Sequence, residues 1–229
     1  MRSLFRKFWY VTAVAILCFA SSAFADTANL TFTGGTYNGV VGPYNFTVGG
    51  QPTTLICDDD RAYIQGGESW TADVVTVQEI INTGIIPATP ANSNIGGATV
   101  LDYEEAAYLT LQLFTVYHNH GDTTNIQWAI WDLFDGGSGE SGADPEGGDA
   151  AWLASALAAV NAGGIDYSNV RIYTWDGNTD TLVDPVGADP PQQFTGVAEA
   201  STSALLGVGV LSLIALIAVF RRGKLRTAQ

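Results

Sequence analysis

The sequence predicts a mixed β and α protein: an antiparallel β-sandwich or barrel with an inserted three-helix lobe, plus one C-terminal transmembrane helix. Three observations predict it. The first third is a series of β-branched and aromatic runs divided by glycine pairs or Gly-Pro, which is strand and turn chemistry. The middle carries apolar residues at helical spacing, and strand-like runs return after residue 170. A last apolar run, 204–220, is followed at once by arginines.

In chain order, Arg2, Arg6 and Lys7 precede an apolar stretch from Phe8 to Ala20, and Ala23-Phe24-Ala25 supplies a small-x-small cleavage pattern. This is the form of a secretory signal over 1–25, with Cys18 inside its apolar stretch and removed with it. Strands are expected at Asn29 to Thr33, Gly39 to Val41, Tyr44 to Val48, Thr53 to Cys57 and Trp70 to Val77, with turns at Gly49-Gly50 and Gly66-Gly67. A short helix is expected over 77–82, then a loop rich in Pro, Asn and Gly.

Asp102 with Glu105 three residues on has the form of a capping box, opening a helix through Ala106, Leu109, Leu113 and Val116. A His118-Asn119-His120-Gly121-Asp122 loop ends it. A second helix is expected from Thr124 or Asn125, with Ile126, Ala129, Ile130 and Leu133 on its buried side, then a glycine-rich acidic loop to Asp149. Asp149 caps a third helix, Ala150 to Ala162, closed by Gly163-Gly164. Strands follow at Val170 to Trp175 and near Thr181 to Val183, joined by a turn at Asp176-Gly177-Asn178. The folded ectodomain is thus expected over 26–188, with 189–203 a spacer.

The run 204–220 spans roughly 25 Å as a helix, just enough to cross a membrane. Its flank of Arg221, Arg222, Lys224 and Arg226 places the tail 221–229 in the cytoplasm and the ectodomain outside it. Seven of the nine basic residues lie in the signal and tail, whereas all twenty-three acids fall between Asp26 and Glu199. Such an exported part repels nucleic acid and, without bridging cations, anionic polysaccharide. It contains no lysine, so Lys-Asn isopeptide crosslinks are excluded and any amine that an activated acyl group meets belongs to another molecule. A solubilising acidic surface explains the charge equally well.

The order Val197-Ala198-Glu199-Ala200-Ser201-Thr202, a Gly-containing apolar helix and Arg221-Arg222 resembles the PEP-CTERM sorting signal of exopolysaccharide-producing bacteria with two membranes. In that family the motif is Pro-Glu-Pro and an exosortase-type membrane enzyme processes it. Here alanines stand at 198 and 200, so permanent anchoring in the inner membrane is the alternative to sorting and release at the cell surface.

Removal of the signal leaves one cysteine, Cys57, in Leu55-Ile56-Cys57-Asp58-Asp59-Asp60. An exported thiol ordinarily has a disulfide partner, and none remains. A cysteine thiol, a glutamine amide held against it and apolar walls are what an internal thioester needs. Gln127 in Ile126-Gln127-Trp128-Ala129-Ile130-Trp131 offers the amide, and Trp128, Trp131 and Phe134 offer the walls.

An aliphatic residue before Cys57, the later aliphatic-Gln-x-x-aliphatic-Trp and the helix around Tyr103-Glu104-Glu105-Ala106-Ala107-Tyr108-Leu109 together resemble the thioester domains of bacterial surface adhesins. The resemblance covers about residues 55–135. It implies a β-sandwich or barrel with a helical lobe, Cys57 and Gln127 as the bonded pair, and covalent attachment to an extracellular target rather than enzymatic turnover. Proteins with PEP-CTERM signals also carry Cys-Asp-Asp followed by Trp, as Cys57, Asp58, Asp59 and Trp70 do here. That framework also suits a structural protein of the envelope or exopolysaccharide matrix without a reactive bond.

Other constellations are weaker. His118, His120 and Asp122 lack a third firm ligand for a transition metal, and Asp176-x-Asn178-x-Asp180 departs from a calcium loop because Thr181 stands where glycine is needed. Glu104 and Glu105 point about 100° apart on a helix and cannot face each other as a glycosidase pair. No Ser-His-Asp arrangement, P-loop or dinucleotide fingerprint is present, so no metal, no cofactor and no enzyme activity is expected.

Overall fold

A computed structural model describes residues 27–35, 42–59, 64–88, 95, 97–116, 120–135, 148–180, 182–183 and 191–198. The signal, the expected strand at 39–41, Glu199, Ala200, the apolar run 204–220 and the basic tail lie outside the described residues. Among the described residues no helix is long and apolar enough to cross a membrane.

Six antiparallel strands form a closed barrel: β1 (Thr27–Gly34), β2 (Tyr44–Val48), β3 (Gln51–Cys57), β4 (Ser69–Thr76), β5 (Val170–Trp175) and β6 (Phe194–Val197). Around the barrel the order is β1-β2-β3-β6-β5-β4. Closure satisfies every strand edge, which a sandwich leaves open. Four helices, α1 (Val77–Thr83), α2 (Val100–Val116), α3 (His120–Asp135) and α4 (Asp149–Ala162), are inserted between the neighbouring strands β4 and β5.

The expected spacer corrects itself here. Residues 194–197 are the strand that closes the barrel, pairing Ile56 with Thr195 and Cys57 with Phe194 on one side and Arg171 with Gly196 on the other. The folded domain therefore runs past 188, and Ala198 is still tied in, its N–H donating to Asn169 O at 2.8 Å. Near 183 the expected strand is reduced to a single bridge between Ser69 and Val183.

Period-two alternation divides the apolar residues between two cores. Leu30, Phe46, Leu55, Cys57, Trp70, Tyr173 and Phe194 fill the barrel. Ile56, Val170 and Ile172 point outward and meet Ile80, Tyr103, Leu109, Ile126 and Ile130 of the helical lobe. The unbroken Leu55-Ile56-Cys57 run is explained by this two-sided burial at the end of β3.

Helix starts depend on which side chain reaches the first free N–H groups. Thr76 and Glu79 form a full capping box on α1. For α2 the box lies three residues earlier than expected: Thr99 Oγ1 accepts the Asp102 N–H, and Asp102 Oδ2 accepts the Thr99 N–H at 2.6 Å. Glu105 is instead buried, and α2 begins at Val100. Helix α3 begins at His120 rather than near Asn125, with Asp122 in its first turn, where the helix dipole favours an acid.

The hub of the barrel core is Phe194, whose ring packs edge-on against Phe46 with centroids 4.8 Å apart and also meets Tyr44 and Trp70. Truncating it leaves a cavity that the closed barrel cannot collapse around. Phe194→Ala is expected to lower unfolding free energy by about 3–5 kcal/mol, read from denaturant melts.

Candidate functional site

The site lies where β3 ends, β6 begins and α3 crosses the barrel. Cys57 faces the barrel interior and is fully buried, as is Gln127; Trp131, at the next turn of the same face of α3, is buried too. Helical spacing of four puts the amide and the indole side by side, and membership of Trp131 in the barrel core places this face against the barrel.

Two glutamines meet Cys57, in different ways. Gln127 Nε2 donates to the Cys57 carbonyl at 2.7 Å, and Gln127 Oε1 accepts the Gly42 N–H at 3.3 Å. Both ends of this amide are engaged with main-chain groups. The Cys57 thiol donates to Gln192 Oε1 at 3.3 Å and to Asp59 O at 2.8 Å. Gln192 was missed in the sequence because it stands in a stretch read as spacer. The double glutamine just before the strand-favouring Phe194-Thr195 pair is the local signal that marks it.

A side chain at position 42 would force its neighbours to shift. A Cβ there would sit 2.8 Å from the Tyr44 ring and 2.9 Å from Gln127 Oε1. The bare backbone lets the Gly42 N–H approach the Gln127 carbonyl closely.

Of the three expected shielding residues, Trp131 and the half-buried Trp128 lie at the barrel side, their rings perpendicular with centroids 5.0 Å apart. Phe134 is turned to the helical lobe, its ring tilted against Tyr103 with centroids 5.2 Å apart, and does not belong to the barrel cluster. The tryptophans can exclude water from the sulfur; Phe134 supports α3 from behind.

Electrostatics at the site are those of a dry pocket. Burial pushes the Cys57 thiol well above its ordinary value, and the Asp59 and Asp58 carboxyls add to this. The Asp59 main chain and, to a smaller extent, the Trp131 side chain work in the opposite direction. The Trp131 indole N–H is buried without a hydrogen-bond partner.

Behind the sulfur, Asp58 accepts from the Thr195 hydroxyl through Oδ2, while its Oδ1 is buried without a partner. Tyr103 OH donates to Gln193 Oε1 at 3.1 Å, and Gln193 Nε2 donates to Thr174 Oγ1 at 2.7 Å. Burial raises the Asp58 carboxyl well above the usual range, partly offset by the Thr195 hydroxyl. Among the described residues no three His, Cys, Asp or Glu side chains gather in a way that could hold a metal ion.

No family model matches the chain, and no curated protein and no solved structure matches it either. The arrangement of residues therefore carries the functional reading.

The buried Asp58 gives the fold a defined pH response. Its native pKa is raised, so its contribution is fully present below the unfolded carboxylate value of about 3.9 and is lost as pH rises through the native value. Denaturant melts of wild type and Asp58→Asn across pH 4 to 8 should diverge, with the asparagine variant relatively more stable as pH rises. Parallel curves would show that Asp58 does not change protonation on unfolding.

Proposed function

We propose that this chain is an exported, membrane-tethered cell-surface protein that forms an internal thioester at Cys57 and attaches through it to an extracellular amine or hydroxyl. The observation that carries the reading is a buried thiol that meets the buried Gln192 carboxamide, with the buried Gln127 carboxamide held on the main-chain carbonyl of the same cysteine. Formation is balanced within the chain: Sγ attacks a glutamine Cδ, the C–N bond breaks, and the thiol proton leaves with the nitrogen as ammonia. An incoming nucleophile later takes the acyl carbon and returns the sulfur as a thiol.

Gln192 is the acyl source that the contacts favour, because its carbonyl meets the sulfur itself. Gln127, the partner implied by the resemblance to thioester domains, is the alternative; the Gly42 N–H polarises its carbonyl in the manner of an oxyanion donor. With Gln192 as acyl source, Gln127 holds the Cys57 carbonyl in place. The lack of lysine between residues 26 and 199 supports an external target, since no side-chain amine of the domain competes.

The signal at 1–25, the run 204–220 and Arg221-Arg222 support export and tethering at the inner membrane. Ala198-Glu199-Ala200 supports recognition by an exosortase-type enzyme only in degenerate form. Extracellular matrix or polysaccharide is the proposed setting. A second reading, an unreactive structural component of the envelope or exopolysaccharide matrix, is favoured by the raised thiol pKa, because a protonated thiol is a poor nucleophile.

Intact mass of the purified chain decides between the two readings. Wild type is expected to lack one ammonia, Cys57→Ala and Gln192→Ala to keep full mass, and Gln127→Ala to retain the loss at a reduced rate. Methylamine then marks the acyl residue in a peptide map. Full mass in wild type, with a titratable thiol, supports the structural protein. Methylamine on residue 127 reassigns the acyl source to Gln127.

A further inference from the structure

A cleft of about 150 Å3 lies where α1, the start of α2 and the end of α4 meet, and none of Cys57, Gln127 and Gln192 lines it. A cavity of roughly that size takes a benzene-sized molecule. Its apolar walls are Ile81, Val160 and Ile165, and its polar side chains are those of Gln78, Glu104 and Tyr167.

What the cleft offers is acceptors. Glu104 brings a carboxylate. Gln78 Nε2 donates to Asn82 Oδ1 at 3.2 Å, so the carbonyl oxygen is the end of that amide left to a ligand. Helix α4 stops at Gly163-Gly164 with no basic residue in its last turn, and no side chain there answers the negative end of the helix dipole. Among the described residues that line the cleft none is basic. The chain also has no lysine between residues 26 and 199 to place there.

Tyr167 shows that a partner is missing. It is 5 % exposed, and its hydroxyl is buried without a hydrogen bond. The hydroxyl of Tyr108, on α2, is shared with Ser155 Oγ at 3.2 Å and leaves Tyr167 unserved. An unpaired buried hydroxyl is costly, and packing alone would be met as well by phenylalanine. Burial, and after it the Glu104 carboxylate, pushes the Tyr167 hydroxyl up to about 12, so it stays neutral and keeps its oxygen as an acceptor.

We propose that this cleft binds a primary ammonium group on a short alkyl stem, the chemistry shared by the end of a lysine side chain and a free diamine. An ammonium carries three hydrogens, and the cleft supplies three oxygens from three parts of the chain: Gln78 on α1, Glu104 on α2 and Tyr167 just before β5. The Glu104 charge offsets that of the ligand, and the stem lies along Ile81, Val160 and Ile165. Binding here is reversible and non-covalent, and it does not rest on the thioester reading.

The full chain in detergent is titrated with Nα-acetyl-lysine amide and with 1,4-diaminobutane, followed by 1H–15N spectra. Backbone signals of residues 78, 81, 104, 163, 164 and 167 are expected to move and to return on dialysis. Tighter binding of the lysine compound assigns the source to a protein side chain, and tighter binding of the diamine to a free small molecule. Nα-acetyl-norleucine amide, with the stem but no ammonium, is expected to bind at least about tenfold more weakly.

Glu104→Gln and Tyr167→Phe are each expected to lower affinity about tenfold, the effect of one hydrogen bond to a charged group. Tyr167→Phe should melt no lower than wild type, because only an unpaired hydroxyl is lost; a merely structural hydroxyl would lower the melting temperature and leave affinity alone. If Tyr167→Phe does not fold, Glu104→Gln, at a half-buried position, decides. Signals that stay still up to about 10 mM of either amine, or equal binding of the norleucine compound, overturn the proposal. Amine added covalently in the intact mass bears on Cys57 alone, so the two readings fail separately.

Discussion

The pairing of β3 with β6 is the constraint on which the rest of the molecule depends. Two residue pairs, Ile56 with Thr195 and Cys57 with Phe194, close the barrel. They set the ring of Phe194 at the centre of the barrel core and bring Gln192 to a sulfur 135 positions earlier in the chain. They also place Thr195 beside Asp58. Closing so long a loop is costly in chain entropy, and the return comes from apolar burial on both faces of the strand end rather than from the few ladder bonds.

That double burial shapes the chemistry. The residues where β3 stops are buried, so most polar groups there find a protein partner or have their charge suppressed. The Gln193, Tyr103 and Thr174 side chains satisfy one another, and Gln127 satisfies two main-chain groups at once. The thiol and Asp58 are instead driven toward their neutral forms. A neutral, dry, crowded sulfur resists oxidation and hydrolysis, and its reactivity then hangs on the few donors that can reach it.

Helix α3 links the two cores. Ile126, Ala129, Ile130 and Phe134 pack into the lobe, while Trp131 joins the barrel, so the helix is held from both sides. Its hydrophobic pattern alone reads as an ordinary amphipathic helix, and Gln127 within it reads as a polar residue on the wet face. The amide is buried because the barrel offers the Cys57 carbonyl and the Gly42 N–H to receive it. Periodicity reports which residues avoid water, and a fully hydrogen-bonded glutamine escapes that signal.

Local chemistry in the sequence was enough to place four strands of the first third, β1 to β4, and the helices of the middle, though not the starts of α2 and α3, because turns, caps and side-chain period act over a few residues. It also singled out Cys57, Gln127, Trp128 and Trp131. Tertiary structure alone decided that the sheet closes, that 194–197 is the closing strand and not a linker, that Phe134 turns away from the sulfur, and that Gln192 meets the thiol. A four-residue strand next to two prolines has too little local preference to declare itself, and contacts across 135 positions are set by packing of the whole barrel rather than by any neighbouring residue.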